Sequence, residues 1–142
     1  MYKRAEYQTI KDIARRRASI PKLQVYNNAL KMVYSPLAFE AALVDRKSWG
    51  RIVESCIGAY LVSQAFVHRF EVFYWRERDD EVDFILRKKG SVIAIEVKSN
   101  AEKKTAEREK FKQLFQPKKA CRVGDGGISH EALLSMDTRK LI

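Results

Sequence analysis

The run from residue 71 to residue 99 restricts the fold most, because it holds three strand-like segments separated by very short connections. Residues 71–76, 81–86 and 91–99 are rich in β-branched and aromatic side chains, and charged or glycine-containing turns lie between them. Turns this short join antiparallel neighbours, whereas parallel strands need a crossover of a dozen or more residues. The sequence therefore predicts an antiparallel three-stranded meander.

Helices are predicted on both sides of the meander. Ser48 can cap a helix that runs through Tyr60, in which apolar side chains recur every three or four residues. A polar helix over residues 102–115 ends before Pro117, and residues 120–123 form a fourth strand. We therefore expect the order helix, three strands, helix, strand within one α/β unit.

Several short elements complete the prediction. Residues 23–26 alternate like a strand and residues 29–34 form a brief helix. The pair Ser35-Pro36 has the residue types of a helix start, so a short helix is expected from there to residue 43. Residues 129–134 form a small terminal helix, which closes the expected domain.

The charge is strongly positive, with 28 Lys and Arg against 18 Asp and Glu and a formal net charge of +10. Residues 1–22 and residues 102–122 each carry a net charge of +5 and account for the excess. Lys and Arg bind nucleic-acid backbones by displacing counterions. We expect residues 1–22 to be a basic arm or a linker remnant, and residues 23–142 to be the domain. A plain basic surface is the alternative to nucleic-acid binding.

Other functional classes receive no support. The longest mostly apolar stretch, residues 56–67, is shorter than the roughly 20 residues of a membrane span. The basic N-terminus lacks the apolar core of a secretory signal, so the cytoplasm is expected. Cys56 and Cys121 are far apart and suggest neither a disulfide framework nor a zinc site.

Four polar residues have the types and positions of a catalytic site. Side chains alternate across a strand, so Glu96 and Lys98 share one side of the third segment, and Asp83 on the preceding segment comes opposite or diagonal to Glu96. Glu54 shares an apolar helical stripe, where burial of a carboxylate is costly without a compensating partner. Together, these acids predict a metal site.

Mg²⁺, or Mn²⁺ in its place, is the ion that such a set favours, because these hard cations prefer oxygen ligands and keep part of their water shell. Glu54, Asp83 and Glu96 are the candidate ligands, and Lys98 is the neighbouring fixed cation. The alternative is that the acids only face solvent, since an E-x-K pattern is common on amphipathic strands.

The runs WGRIVES, FYWRERDDEVDFIL and IAIEVKS resemble the C-terminal domain of a family of prokaryotic AAA-type ATPases, a domain of uncharacterised function that is similar to the restriction-endonuclease-like PD-(D/E)XK nucleases. The resemblance covers nearly the whole chain. It implies a restriction-endonuclease-like core and makes Glu54 the helix carboxylate, Asp83 the first strand acid and Glu96 with Lys98 the E-x-K pair. Gln113 or Lys110 is the implied polar residue of the following helix.

This sequence departs from the patterns of the families that it resembles in two places. Val82 stands where the nuclease motif has proline, and the phosphate-binding loop of the ATPases is absent from this sequence. We therefore expect a nuclease-like module without its ATPase domain, with an ATPase or a second copy of the chain as a further partner.

Three functional hypotheses follow. The first is a metal-dependent endonuclease that hydrolyses phosphodiesters at Asp83, Glu96 and Lys98, with Glu54 assisting. The second is a non-catalytic module of the same fold that docks nucleic acid or a partner. The third is that the basic segments only make protein contacts inside a larger assembly. The side chains expected to contact nucleic acid are Arg15, Arg16, Arg17, Arg76, Lys103, Lys104 and Lys110.

Overall fold

The computed structural model of the chain describes residues 24–77, 80–98, 112–113 and 116–142. The predicted arm over residues 1–22 lies outside this part, as does most of the predicted helix over residues 102–115, of which residues 112 and 113 are described and helical. The elements are α1 (Asn28–Val33), α2 (Phe39–Val44), α3 (Arg46–His68), β1 (Glu71–Glu77), β2 (Asp80–Lys88), β3 (Ser91–Lys98), β4 (Lys119–Gly124), α4 (His130–Ser135) and a 3-10 turn (Thr138–Lys140).

The four strands form one sheet in the order β1-β2-β3-β4. The first three are antiparallel neighbours, which confirms the predicted meander, and β4 lies parallel to β3. A parallel neighbour fits the long stretch of sequence between β3 and β4. The protein is thus a mixed α/β structure with a mostly antiparallel sheet. No described helix is long and apolar enough to cross a bilayer.

The long helix α3 begins three residues earlier than the sequence predicts. Its N-cap is Asp45, whose Oδ2 accepts a hydrogen bond from the Ser48 backbone N–H at 2.9 Å. Hydrogen bonds from Ser48 hold the pKa of Asp45 below its usual value. The predicted cap residue therefore lies within the first turn, and the helix continues for 23 residues to His68.

Two predictions for the segment before α3 are wrong in detail. Residues 24–27 do not form a strand, and α1 follows them directly. The second short helix begins at Phe39 rather than at the Ser35-Pro36 pair, where the Ser35 hydroxyl accepts from the Leu37 N–H instead. A short side-chain turn thus replaces the expected first helical turn.

The core lies mainly on one side of the sheet, which we call the helix side, because α3 and α4 pack there. The side chains of Val53, Ile57 and Leu61 from α3 meet those of Phe84 and Ile95 from the sheet. The opposite side carries a smaller apolar cluster that consists of Phe73, Trp75, Val82, Ile85 and Ala94. Trp75 is buried within this cluster, with 6% of its surface exposed.

A β-bulge in β2 overturns the simple alternation of the sequence, which predicts Val82, Phe84 and Leu86 on one side of the sheet. Phe73 pairs with Ile85 and Trp75 pairs with Val82, so two residues of β2 oppose the single residue between Phe73 and Trp75. The extra residue reverses the alternation, and Val82 lies on the side opposite to Phe84 rather than beside it. The bulge falls at Asp83 and Phe84.

Candidate functional site at the end of the β2–β3 ladder

Asp83 lies where the pairing of β2 with β3 ends. The last register pair is Phe84 with Ile95, and one step further Asp83 reaches the level of Glu96. The Asp83 carboxylate Oδ2 accepts a hydrogen bond of 2.8 Å from the backbone N–H of Val97, the residue between Glu96 and Lys98. The structure thus brings the first strand acid against the E-x-K segment, as the sequence predicts.

Glu96 is the most buried of the predicted site residues, with 7% of its surface exposed. Its Oε1 lies 3.3 Å from Nζ of Lys98, which confirms that these two side chains share one side of β3. Its Oε2 lies 3.7 Å from Nε of Arg122, its register partner on β4. The carboxylate is therefore held between two cations, one on its own strand and one on the next.

The loop after β4 fixes the backbone around Arg122. The Arg122 carbonyl accepts a hydrogen bond of 2.9 Å from the Ile128 N–H, and a Cβ placed on Gly127 would lie 2.2 Å from the same carbonyl oxygen. Gly124 approaches β3 equally closely, because a Cβ there would lie 1.9 Å from the Lys98 carbonyl oxygen. Only glycine fits such contacts. Residues 125–127 form a turn and a bend directly after β4.

Glu54 does not lie with Asp83 and Glu96 in an arrangement that could hold a metal ion. Within the described ranges, no three His, Cys, Asp or Glu side chains are placed together as such a site requires. Glu54 is half-buried on α3, which packs against the helix side, whereas Glu96 and Lys98 point to the other side of β3. The predicted assembly of Glu54, Asp83 and Glu96 around one ion is therefore not seen.

The charges at Glu96 also oppose a divalent ion. Two unit charges about 4 Å apart interact by about 4 kcal/mol near a protein surface, and the repulsion is larger for an ion of charge two. Lys98 and Arg122 already place two positive charges against the one carboxylate. As placed, these residues do not fit Mg²⁺ or Mn²⁺.

A second charged region lies at the opposite end of the same sheet. The turn after β2 carries Lys88 and Lys89, and Lys119 begins β4 beside Ile93, near the start of β3. The backbone N–H of Lys118 donates to the Val92 carbonyl at 2.9 Å, which places it at the same end. We call Lys88, Lys89, Lys118 and Lys119 the basic end.

The acid at this end is already neutralised by a neighbour. Glu71 begins β1 opposite Arg87, and its Oε2 accepts a hydrogen bond of 2.7 Å from Nε of Arg87. Arg87 also stacks over the ring of Phe73, with its guanidinium carbon 4.8 Å from the ring centre. The lysines of the basic end are therefore left as surplus positive charge, and three of them are exposed.

Of the side chains predicted to contact nucleic acid, the structure describes Arg76, which is exposed near the end of β1. Gln113 is exposed and helical. The others lie outside the described residues: Arg15, Arg16, Arg17, Lys103, Lys104 and Lys110.

Sequence reasoning did not single out Arg122 or the basic end. Each depends on the parallel pairing of β4 with β3, which places Glu96 beside Arg122 and Lys119 beside Ile93. The signal that could have found them was the group of cations at positions 118, 119 and 122, read against the strand alternation of β3.

Comparison with known proteins gives a family but no activity. No curated protein and no solved structure matches the chain. A family model described as a domain of unknown function, DUF4143, matches residues 49–132, which is more than half of the chain. The match begins at Trp49 in α3, includes the whole sheet and ends in α4. The chain therefore belongs to the DUF4143 family.

Proposed function

We propose that this DUF4143 chain is a nucleic-acid-binding module that does not itself cleave its ligand, with DNA as the first ligand to test. The observation that supports the proposal most is the basic end, where four lysines lie at the same end of the sheet and the neighbouring Glu71 is paired with Arg87. The net charge of +10 acts in the same direction. A surface of this kind attracts a phosphate backbone without reading its sequence.

The pairing of the acids supports the part of the proposal that concerns cleavage. Glu96 is buried between Lys98 and Arg122, and Asp83 accepts a backbone hydrogen bond from Val97. Both acids therefore have structural partners within the protein. In this proposal they stabilise the end of the β2–β3 ladder and take no part in chemistry.

Salt-dependent binding to a short DNA duplex tests the proposal. The apparent Kd is measured by fluorescence anisotropy at several salt concentrations, in EDTA, for the wild type and for a triple variant with Lys89→Asn, Lys118→Gln and Lys119→Gln. Asparagine is chosen at position 89 because Lys89 has φ +47°. The plot of log K against log salt should become less steep by between about 2 and 3, because each lost phosphate contact removes about 0.9 from the slope.

A charge-matched control removes three exposed lysines elsewhere. Lys31→Gln, Lys47→Gln and Lys140→Gln lie on α1, on α3 and in the C-terminal 3-10 turn. This variant should keep most of the wild-type salt slope. Equal loss in both variants would show that only net charge matters and not the basic end, and a wild type without salt-dependent binding to any nucleic acid would refute the proposal.

Phosphodiester cleavage with Mg²⁺ or Mn²⁺ is the second candidate, and it requires Arg122 to move away from Glu96 so that the ion can enter. The contact of Asp83 with the E-x-K backbone favours it, because it brings Asp83, Glu96 and Lys98 to one place. Nicking of a supercoiled plasmid is the assay. Nicking that requires the metal and disappears in both Asp83→Ala and Glu96→Ala would support this candidate over the first.

Two further proposals concern partners. The resemblance to an ATPase C-terminal domain makes an ATPase, on a separate chain or in a preceding domain, one candidate, and a homodimer is the other. Sedimentation velocity with and without DNA tests the homodimer, because a dimer doubles the mass.

A further inference from the structure

One oxygen of the buried Glu96 carboxylate makes no hydrogen bond. Its Oε1 is paired with Lys98, whereas Oε2 is buried and has no donor. The Nε of Arg122, 3.7 Å away, is also buried and has no acceptor. Both atoms are just beyond hydrogen-bond length of each other. The pair is therefore held by charge attraction, while the carboxylate oxygen keeps its lone pairs unused.

We infer that the guanidinium of Arg122 occupies the place at Glu96 that a divalent cation would otherwise take, and that it excludes such an ion. A buried carboxylate needs a compensating positive charge. A hard divalent cation would bind directly to Oε2. Here the compensating charge comes from the protein itself.

The backbone geometry makes this arrangement a fixed feature of the fold. Glu96 and Arg122 are register partners on neighbouring parallel strands. The loop after β4 holds the Arg122 carbonyl through the Ile128 N–H, and the close approach of Gly127 leaves that carbonyl little room to move. The backbone that carries the Arg122 guanidinium is therefore held in place. The Arg122 side chain is 23% exposed, so it is partly shielded from water.

The inference predicts a latent metal site. Without the charge of Arg122, Oε2 of Glu96 would be open, and the nearby Asp83 lies against the same strand segment. Lys98 would remain as a single cation on the other oxygen. This inference rests on the proposed non-catalytic function, because it gives the reason why a nuclease-like set of acids would hold no metal.

Titration with Mn²⁺ alone tests the inference, without DNA and without any activity assay. Free Mn²⁺ gives an electron paramagnetic resonance signal that is lost on binding, so the bound fraction is measured directly. The variants are Arg122→Gln and Arg122→Met. The second replaces the aliphatic stem of arginine by an unbranched apolar side chain without charge, in case the first does not fold. Lys119→Gln, on the same strand but level with Ile93, is the charge-matched control.

The expected result is that an Arg122 variant binds Mn²⁺ roughly tenfold or more tightly than the wild type, because one nearby positive charge is removed. Lys119→Gln should bind like the wild type. Adding Glu96→Gln to the Arg122 variant should abolish the gain. Circular dichroism and thermal unfolding confirm that each variant is folded.

Two outcomes would overturn the inference. One is a folded Arg122→Gln or Arg122→Met variant with no gain in Mn²⁺ affinity. The other is a wild type that already binds Mn²⁺ at a site lost in Glu96→Gln. The outcome is independent of the DNA-binding experiment, which is done in EDTA, so the inference and the proposed function can fail separately.

Discussion

The two ends of the sheet use the same kinds of charged residue in opposite ways. At one end, which we call the Glu96 end, Asp83, Glu96, Lys98 and Arg122 are at least half-buried and contact one another or the β3 backbone. At the basic end, the acid that the described strand register places nearby is Glu71, and it is paired with Arg87. Burial thus separates charges that contact other groups of the protein from charges that remain exposed to solvent, which we propose to bind nucleic acid.

The difference has a physical cause in the dielectric surroundings. Charges that are partly removed from water interact strongly and have a defined geometry, whereas exposed charges are screened within about 8–10 Å at physiological salt. Exposed charges therefore contribute little to folding, but they remain available to a polyanion. The predictions below compare the two ends, from the largest expected effect to the smallest.

Replacing one glycine at each end should give the largest contrast in stability. Gly124 has φ +100°, and a Cβ there would lie 1.9 Å from the Lys98 carbonyl oxygen, whereas Gly90 has φ +81° and nothing within 4 Å of the added carbon. Gly124→Ala should destabilise the protein by about 3 kcal/mol or more, since β3 and β4 must separate. Gly90→Ala should cost about 1 kcal/mol, from the backbone conformation alone.

Urea unfolding followed by circular dichroism measures both variants. Equal losses would show that the close approach of β3 and β4 at the Glu96 end does not constrain the fold, and that only the positive φ matters.

Removing the central carboxylate should be the next largest effect. Glu96→Ala leaves Lys98 and Arg122 close together without their acid, and should destabilise the fold by about 2 kcal/mol. The two cations are about one-quarter exposed, so this figure is smaller than for a fully buried pair. Glu40→Ala, an exposed acid on α2, is the control and should change the free energy of unfolding little.

The same urea titration decides the result. A Glu96→Ala variant as stable as Glu40→Ala would mean that Glu96 is not held by its two cations, and the contrast between the ends would lose its main support.

The hydrogen bond from Val97 to Asp83 gives a smaller and more specific prediction. Asp83→Ala should destabilise the protein by about 1–2 kcal/mol, because the Val97 N–H loses its acceptor. Asp83→Asn keeps an oxygen that can accept this bond, so it should recover most of the loss. If Asn is as damaging as Ala, the negative charge rather than the hydrogen bond is what stabilises the ladder end.

The meander and the long helix could be predicted from the sequence because their signals are local. Short turns set the antiparallel order of β1, β2 and β3, and apolar spacing set most of α3. The side on which Val82 lies could not be predicted, because one bulged residue in β2 reverses the alternation. The start of α3 was missed because Asp45 and Ser48 are both good cap residues.

The candidate site divides in the same way. The pairing of Glu96 with Lys98 follows from strand alternation within one segment, and the sequence predicts it. The contact of Glu96 with Arg122 requires the register of two strands joined by a long connection, which no local pattern fixes. The position of Glu54 depends on how α3 packs on the sheet, and the helix stripe alone does not reveal that.

An exposed ion pair outside both ends of the sheet should have the smallest effect on stability. It tests whether burial of a charge contributes more to stability than ion pairing alone. Hydrogen bonds from Arg139 lower the pKa of Asp137 from 3.8 to about 2. A lowered pKa adds stability that is present above pH 3.8 and is lost as the pH falls through about 2. Asp137→Asn keeps an acceptor for the Arg139 backbone N–H but cannot titrate.

The difference in Tm between wild type and Asp137→Asn should therefore shrink between pH 4 and pH 2 and stay constant above pH 4. Arg139→Gln should show the same loss of pH dependence. If this pair is worth as much at pH 7 as the Glu96 carboxylate, then burial is not what distinguishes the Glu96 end from the surface.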